Sequence, residues 1–169
     1  MKSLKETISI GSPLECHLAS FHELIEYLAR EPLHLTAIEP PSKAILLKAF
    51  QQHITERLPL VTAVKHNKVV GWCAIGPNKK PGFTHTGALG IGLLPEYRRI
   101  GIGTSLLNAA LAKAKSMQLT RIELEVFSSN NPAIAFYSKH GFKIEGCKVN
   151  ARLHESIYDD VLIMARLLS

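Results

Sequence analysis

The sequence predicts a mixed α/β fold (α+β in some schemes): a twisted, mostly antiparallel sheet of about seven strands with helices on both faces. Three observations predict it. Apolar, β-branched runs at 60–65 and 69–75 are separated by His66-Asn67-Lys68, the pattern of a hairpin with a short polar turn. A third apolar run at 84–94, a helical stretch and an alternating strand follow one another, and that order demands a parallel crossover. Apolar residues at helical spacing recur before, between and after these strands. The chain has 169 residues, 46% hydrophobic and 20% charged, which fits one globular domain spanning 1–169.

Taken in order, residues 7–10 read as a short first strand. From 13 to 30, Leu14, Leu18, Phe21, Leu24, Ile25 and Leu28 fall at helical spacing, with Ser12 as N-cap and Pro13 as first helical residue. Residues 31–41 hold Pro32, Pro40 and Pro41 and read as a loop. Ser42 caps a second helix with Ile45, Leu46, Ala49, Phe50 and Ile54 on one face. The hairpin follows, then a Gly-, Pro- and Lys-rich loop at 76–82, then the run at 84–94, which Pro95 ends. Residues 101–117 form the clearest helix, with Leu106, Leu107, Ala110, Leu111 and Ala114 as its apolar stripe. At 121–127, Ile122, Leu124 and Val126 alternate with Glu123 and Glu125, as on a half-exposed strand. Residues 131–140 form a short helix stopped by Gly141, and 142–149 with 156–167 close the sheet.

Composition excludes several classes of function. No window approaches the roughly 18 apolar residues of a membrane span, and the polar start Met1-Lys2-Ser3-Leu4-Lys5-Glu6-Thr7 lacks a signal-peptide core, so a cytoplasmic location is expected. Cys16, Cys73 and Cys147 are odd in number and widely spaced, which argues against a disulfide framework. The eight histidines form no ligand spacing, so no metal is expected. Net charge is +6 and the pI about 9.3. A basic balance suits a polyanionic partner, a phosphorylated cofactor included, as well as plain solubility. The scattered lysines disfavour a nucleic-acid stripe.

The chemistry concentrates at Arg98-Arg99-Ile100-Gly101-Ile102-Gly103-Thr104, where a strand ends and a helix begins. The first amides of a helix have no intrahelical acceptor and face outward at the positive end of the macrodipole. Glycines remove the β-carbons that would hold an anion off that backbone. Leu106 stands where a dinucleotide fingerprint needs a small residue, and no Gly-Lys-Ser/Thr of a Walker loop is present. A diphosphate is the ligand these features suit, against the alternative of a glycine-rich helix start used only for packing.

The pattern Arg98-x-x-Gly101-x-Gly103 resembles the acyl-CoA loop, Gln/Arg-x-x-Gly-x-Gly/Ala, of the GCN5-related N-acetyltransferase (GNAT) superfamily. A second stretch, Asn130-Asn131-Pro132-Ala133-Ile134-Ala135-Phe136-Tyr137-Ser138-Lys139-His140-Gly141-Phe142, is similar to that family's Asn-x-x-Ala-Ile-x-x-Tyr-x-x-x-Gly-Phe. The resemblance covers roughly 60–167. It implies the acyl-CoA N-acyltransferase fold and acetyl-CoA as acyl-donor substrate. It also implies that backbone amides from Arg98 through Thr104 hold the pyrophosphate, and that Leu93 and Ile91 bond the pantetheine arm and the acyl carbonyl. Asn130 and Ala133 then lie at the cofactor arm. Tyr137 is the implied general acid near the sulfur, although on its own it would read as a core aromatic, and Asn130 as a helix cap.

No base is named. Many members of the family carry a Glu where this chain has Gly87, and neighbouring Ala88 is no substitute. His85, Glu123 and Glu125 are near in sequence, but surface or packing roles suit each of them as well. Candidate acceptor-lining residues are His34, Phe127, His154, Glu155 and Tyr158, on the family's pattern of a pocket walled by the first helices and the last hairpin. The expected function is acetyl transfer from acetyl-CoA to a primary amine of a small molecule, such as an amino acid or polyamine, in a ternary complex. Protein N-terminal acetylation and a non-catalytic acyl-CoA sensor are the alternatives. Neither nucleic acid nor membrane is expected as a partner, and a homodimer is left open.

Overall fold

The computed structural model describes residues 8–31 and 42–169. Among the described residues, seven strands lie in the order β1-β2-β3-β4-β5-β7-β6. The elements are β1 (Ser9–Gly11), a 3-10 turn (Glu15–His17), α1 (Leu18–Ala29), α2 (Lys43–Thr55), β2 (Leu60–Lys65), β3 (Lys68–Pro77) and β4 (Thr86–Leu93). A second 3-10 turn (Pro95–Tyr97), α3 (Ile102–Ser116), β5 (Arg121–Phe127), α4 (Asn131–Lys139), β6 (Lys143–His154) and β7 (Ile157–Leu167) complete the chain. The expected element order holds. Pairing is antiparallel for β1–β2, β2–β3, β5–β7 and β6–β7, and parallel for β4–β5. By internal contacts the chain forms two compact units, Met1–Gly76 with Leu89–Gln118, and Pro77–Ala88 with Leu119–Ser169.

The first unit holds β1–β3, the end of β4, and α1–α3. His66 and Asn67 both adopt positive φ (48° and 61°), the two-residue turn whose twist suits a hairpin. Gly71 and Leu93 face α3, where a β-carbon on Gly71 would meet the side chains of Leu93 and Leu106. On the opposite side, a β-carbon on Gly92 would meet Leu28 of α1. Helices thus cover both faces of these strands. Phe21, Leu24, Ile25 and Leu28 of α1 pack with Leu46 and Phe50 of α2, and the Phe21 and Phe50 rings stand 5.1 Å apart.

Several expectations are corrected here. α1 begins at Leu18 rather than Pro13, because the 3-10 turn comes first and the Leu14 amide donates to His17 Nδ1 at 3.2 Å. Ser12 does not cap the helix; its hydroxyl accepts from Lys113 Nζ at 2.6 Å. On α2 the Ser42 cap is present, with Oγ accepting from the Ile45 amide at 3.4 Å, but Ile45 and Ala49 are exposed and the buried stripe narrows to Leu46 and Phe50. The first strand starts at Ser9, its expected Thr7 lying outside the described residues.

The second unit holds the start of β4, β5, α4 and the β6–β7 hairpin. Its parallel ladder pairs Thr86, Gly87 and Ala88 with Arg121, Ile122 and Glu123. Ile122, Leu124, Phe127, Phe142, Val161 and Met164 are buried. Glu155 and Ser156 repeat the positive-φ turn at 49° and 64°. Among the described residues no helix is long and apolar enough to cross a membrane.

Candidate active site

In the first unit, the chain leaves β4 through the Pro95–Tyr97 turn and enters α3 at Gly101. Gly101 is the N-cap at φ 90° and ψ 0°, a left-handed conformation that costs an L-residue about 1–2 kcal/mol. No side chain caps this helix. Among the described residues, none of the backbone amides from 99 to 104 donates to a backbone carbonyl. The amide of Arg98 differs: it closes the turn on the Pro95 carbonyl at 3.1 Å. What remains is an open helix N-terminus with its donors directed outward, the arrangement that binds phosphate oxygens.

The two arginines differ in kind. Arg98 Nε donates to the Leu93 carbonyl at 2.8 Å and its terminal nitrogen donates to Glu31 at 2.8 Å. Desolvation draws its pKa below the ordinary guanidinium value, opposed by the charges of Tyr27 and Glu96. Its role is to tie the loop to the end of β4 and to the end of α1. Arg99, exposed and at φ 60°, carries the solvent-facing charge. Ile91 is half-buried and Leu93 buried on β4, with Ile100, Gly103 and Thr104 half-buried and Ile102 buried. This unit also holds an open pocket of about 560 Å³, lined by Tyr27, Lys65, Lys68 and Tyr97 among others.

In the second unit, Asn130 is 7% exposed and caps α4, its Oδ1 accepting from the Ala133 amide at 3.2 Å. No side chain of α4 is fully buried; Ala133, Ile134, Phe136 and Tyr137 are half-buried along one face. Tyr137 lies edge-on between Phe136 (5.6 Å) and Phe142 (5.8 Å), which fixes its ring while leaving it partly accessible. Arg166 donates to the His140 carbonyl at 2.8 Å, placing a cation at the negative end of the helix.

The carboxylates near β5 are engaged. Arg121 holds Glu123 at 2.7 Å and also Glu145, while Lys148 holds Glu125. Gly87 is buried, and His85 is exposed with its carbonyl accepting from Thr120 and Arg121. Of the expected acceptor residues, Phe127 is buried under Arg152, His154 is half-buried, Glu155 sits in the hairpin turn and Tyr158 is exposed. His34 lies outside the described residues. Arg152 escaped the sequence reading; a lone arginine on a polar strand belongs to no motif.

The sequence matches the model of the acetyltransferase (GNAT) family over residues 21–142. An L-amino acid N-acetyltransferase of Escherichia coli is 30% identical over 121 residues, 70% of this chain and 75% of that protein. An N-alpha-acetyltransferase of Saccharolobus solfataricus is 39% identical over 106 residues, 56% of this chain and 62% of that protein. The crystal structure of a GNAT superfamily phosphinothricin acetyltransferase from Sinorhizobium meliloti in complex with acetyl-CoA aligns at a TM-score of 0.87 and 20% identity, covering 96% of this chain and 89% of that one. That structure shares the fold, and the family match runs through both the Gly101–Gly103 loop and the Asn130–Phe142 helix. The chain therefore belongs to the acetyltransferase (GNAT) family of N-acetyltransferases.

Proposed function

We propose that residues 1–169 act as one N-acetyltransferase domain that moves the acetyl group of acetyl-CoA directly to a primary amine of a small molecule, an amino acid or a polyamine. The open α3 N-terminus carries this reading. Its outward amides and exposed Arg99 suit the diphosphate of acetyl-CoA, with Ile91 and Leu93 toward the pantetheine arm and thioester, and Asn130 and Ala133 toward the same arm. The Escherichia coli relative supports an amino-acid acceptor. The archaeal N-alpha-acetyltransferase favours a second reading, a protein N-terminus as acceptor.

The amine nitrogen attacks the thioester carbonyl, forming the C–N bond and a tetrahedral oxyanion that the Ile91 amide steadies. Collapse breaks the C–S bond, and Tyr137 gives its phenolic proton to the departing thiolate. Glu123 and Glu125 are held by Arg121 and Lys148, so the amine enters neutral, and the proton its nitrogen sheds after attack passes through water to restore the Tyr137 phenol.

Two measurements test this. CoA at millimolar concentration raises the melting temperature, and acetyl-CoA is turned over with a panel of amino acids, polyamines and N-terminal peptides. Tyr137→Phe lowers turnover about 10²-fold with the CoA-induced shift retained. An unchanged turnover number removes Tyr137 from the chemistry.

A further inference from the structure

On the face of β5 that carries Arg121, Glu123, Glu125 and Phe127, the basic groups are matched to acids in turn. Arg121 bonds Glu123 and Glu145, and Lys148 of β6 bonds Glu125. The next cation along β6 breaks the series. Arg152 lies over the Phe127 ring, its guanidinium carbon 4.2 Å from the centroid. Its register partner on β7 is Asp159. That carboxylate is taken instead by the hydroxyls of Ser128, at 2.8 Å, and Ser129. Arg152 Nε is buried without a hydrogen-bond partner, and among the described residues no acid pairs with Arg152.

The backbone places it there deliberately. Lys148 faces Val161 and Arg152 faces Asp159, so β6 advances four residues where β7 advances two. Within this bulge Asn150 takes φ 50° and its amide donates to Asp160 Oδ1 at 2.7 Å. Bulges of this kind re-aim a side chain. A guanidinium has five N–H donors in its own plane and no acceptor, and an aromatic face beneath it satisfies none of them as a hydrogen-bond acceptor in that plane. A buried donor without a partner in the protein is costly. A planar carboxylate is the group that matches that edge, by two parallel charged hydrogen bonds.

We propose that Arg152 binds the carboxylate of the amine acceptor, so that the acceptor is a free amino acid rather than a polyamine or a peptide N-terminus. The proposal rests on the acetyl-transfer reading above. Phe127 lies beneath the guanidinium, and Ser128 and Ser129 engage the carboxylate of its register partner, Asp159.

The test assays the full chain with acetyl-CoA and matched pairs, each L-amino acid of a panel against its own carboxamide, with spermidine and an N-terminal peptide alongside. The wild-type enzyme prefers acid to amide by roughly 10²-fold in kcat/KM, the scale of a charged hydrogen-bond pair. Arg152→Gln reduces that ratio at least roughly tenfold, through KM for the amino acid. Arg152→Lys, which keeps the charge but loses the planar fork, gives an intermediate ratio. A CoA-induced thermal shift in Arg152→Gln verifies its fold; if that shift is lost, the Arg152→Lys ratio decides. Equal use of acid and amide by the wild-type enzyme, or an Arg152→Gln ratio like the wild type's, overturns the proposal. Acetylation of spermidine or the peptide but of no amino acid overturns it while leaving acetyl transfer intact. No CoA shift and no acetylated amine at all overturn both.

Discussion

Arg98 and Arg99 are chain neighbours with opposite tasks. Arg98 is turned inward, bridging the Leu93 carbonyl and Glu31, while Arg99 is exposed beside the open helix end. Removing Arg98 leaves a partly buried carboxylate and a strand-end carbonyl without their charged donor. Arg98→Ala is expected to lower unfolding stability by about 1–3 kcal/mol, read from urea denaturation. Arg99→Ala is expected to leave the urea midpoint in place, weaken CoA binding severalfold in calorimetry, and reduce its salt dependence, because it removes only a screened surface charge. Equal loss of stability in both variants would contradict the division. The sequence placed both residues in the loop between β4 and α3, where they lie, since the loop is a local pattern. It did not separate their tasks, because Glu31 lies 67 positions away from Arg98 and no local spacing reveals that partner.

At the scale of elements, the stretch Gly90-Ile91-Gly92 of β4 is shaped by the strand beside it. A β-carbon on Gly90 would stand 2.8 Å from the Trp72 ring, and one on Gly92 would stand 2.7 Å from Trp72 Nε1 and 2.5 Å from Leu28 Cδ1. The indole of β3 thus fills the space of two absent side chains on one face of β4. Gly92→Ala forces Trp72 or Leu28 aside, an overpacking cost of about 1–3 kcal/mol in urea denaturation. In the proposed function it also raises KM for acetyl-CoA, because Ile91 and Leu93 flank the displaced residue. A variant with wild-type stability would show that the layer yields freely. Element positions were legible wherever one face is buried: β5 alternates over Arg121–Phe127 as read. The start of α1 was not, because Ser12 is drawn off by Lys113, 101 positions distant. Nor was the β6 bulge, whose Asn150 carries no turn signal beyond its own residue type, and with it went Arg152.

Over the whole molecule, the net charge of +6 makes acid the destabilising direction, and two particular groups set where it acts. His53 has a buried, unpartnered Nδ1. Desolvation lowers its pKa below 6.5, against the raising charge of Glu56 and with the lowering charge of Lys113. The unfolded chain therefore takes up this proton first. Stability from the neutral imidazole is complete above about pH 6.5 and declines as pH falls through the depressed folded value. Asp159 titrates below its ordinary 3.8; burial alone would raise it, but bonds from Ser129 and Ser128 outweigh that and lower it. Its contribution is complete above that ordinary value and is lost as pH falls through the lower folded one. The urea midpoint is expected to fall on acidification in two stages, one beginning near the ordinary histidine range and one near the carboxylate range. His53→Gln should flatten the first stage and Asp159→Asn the second. Since an amide at 159 can no longer hold its hydroxyls as an anion does, that variant also tests whether the carboxylate is what frees Arg152: a new bond between Arg152 and Ser128 or Ser129, seen in its structure, would tie the stability profile to the proposed acceptor site.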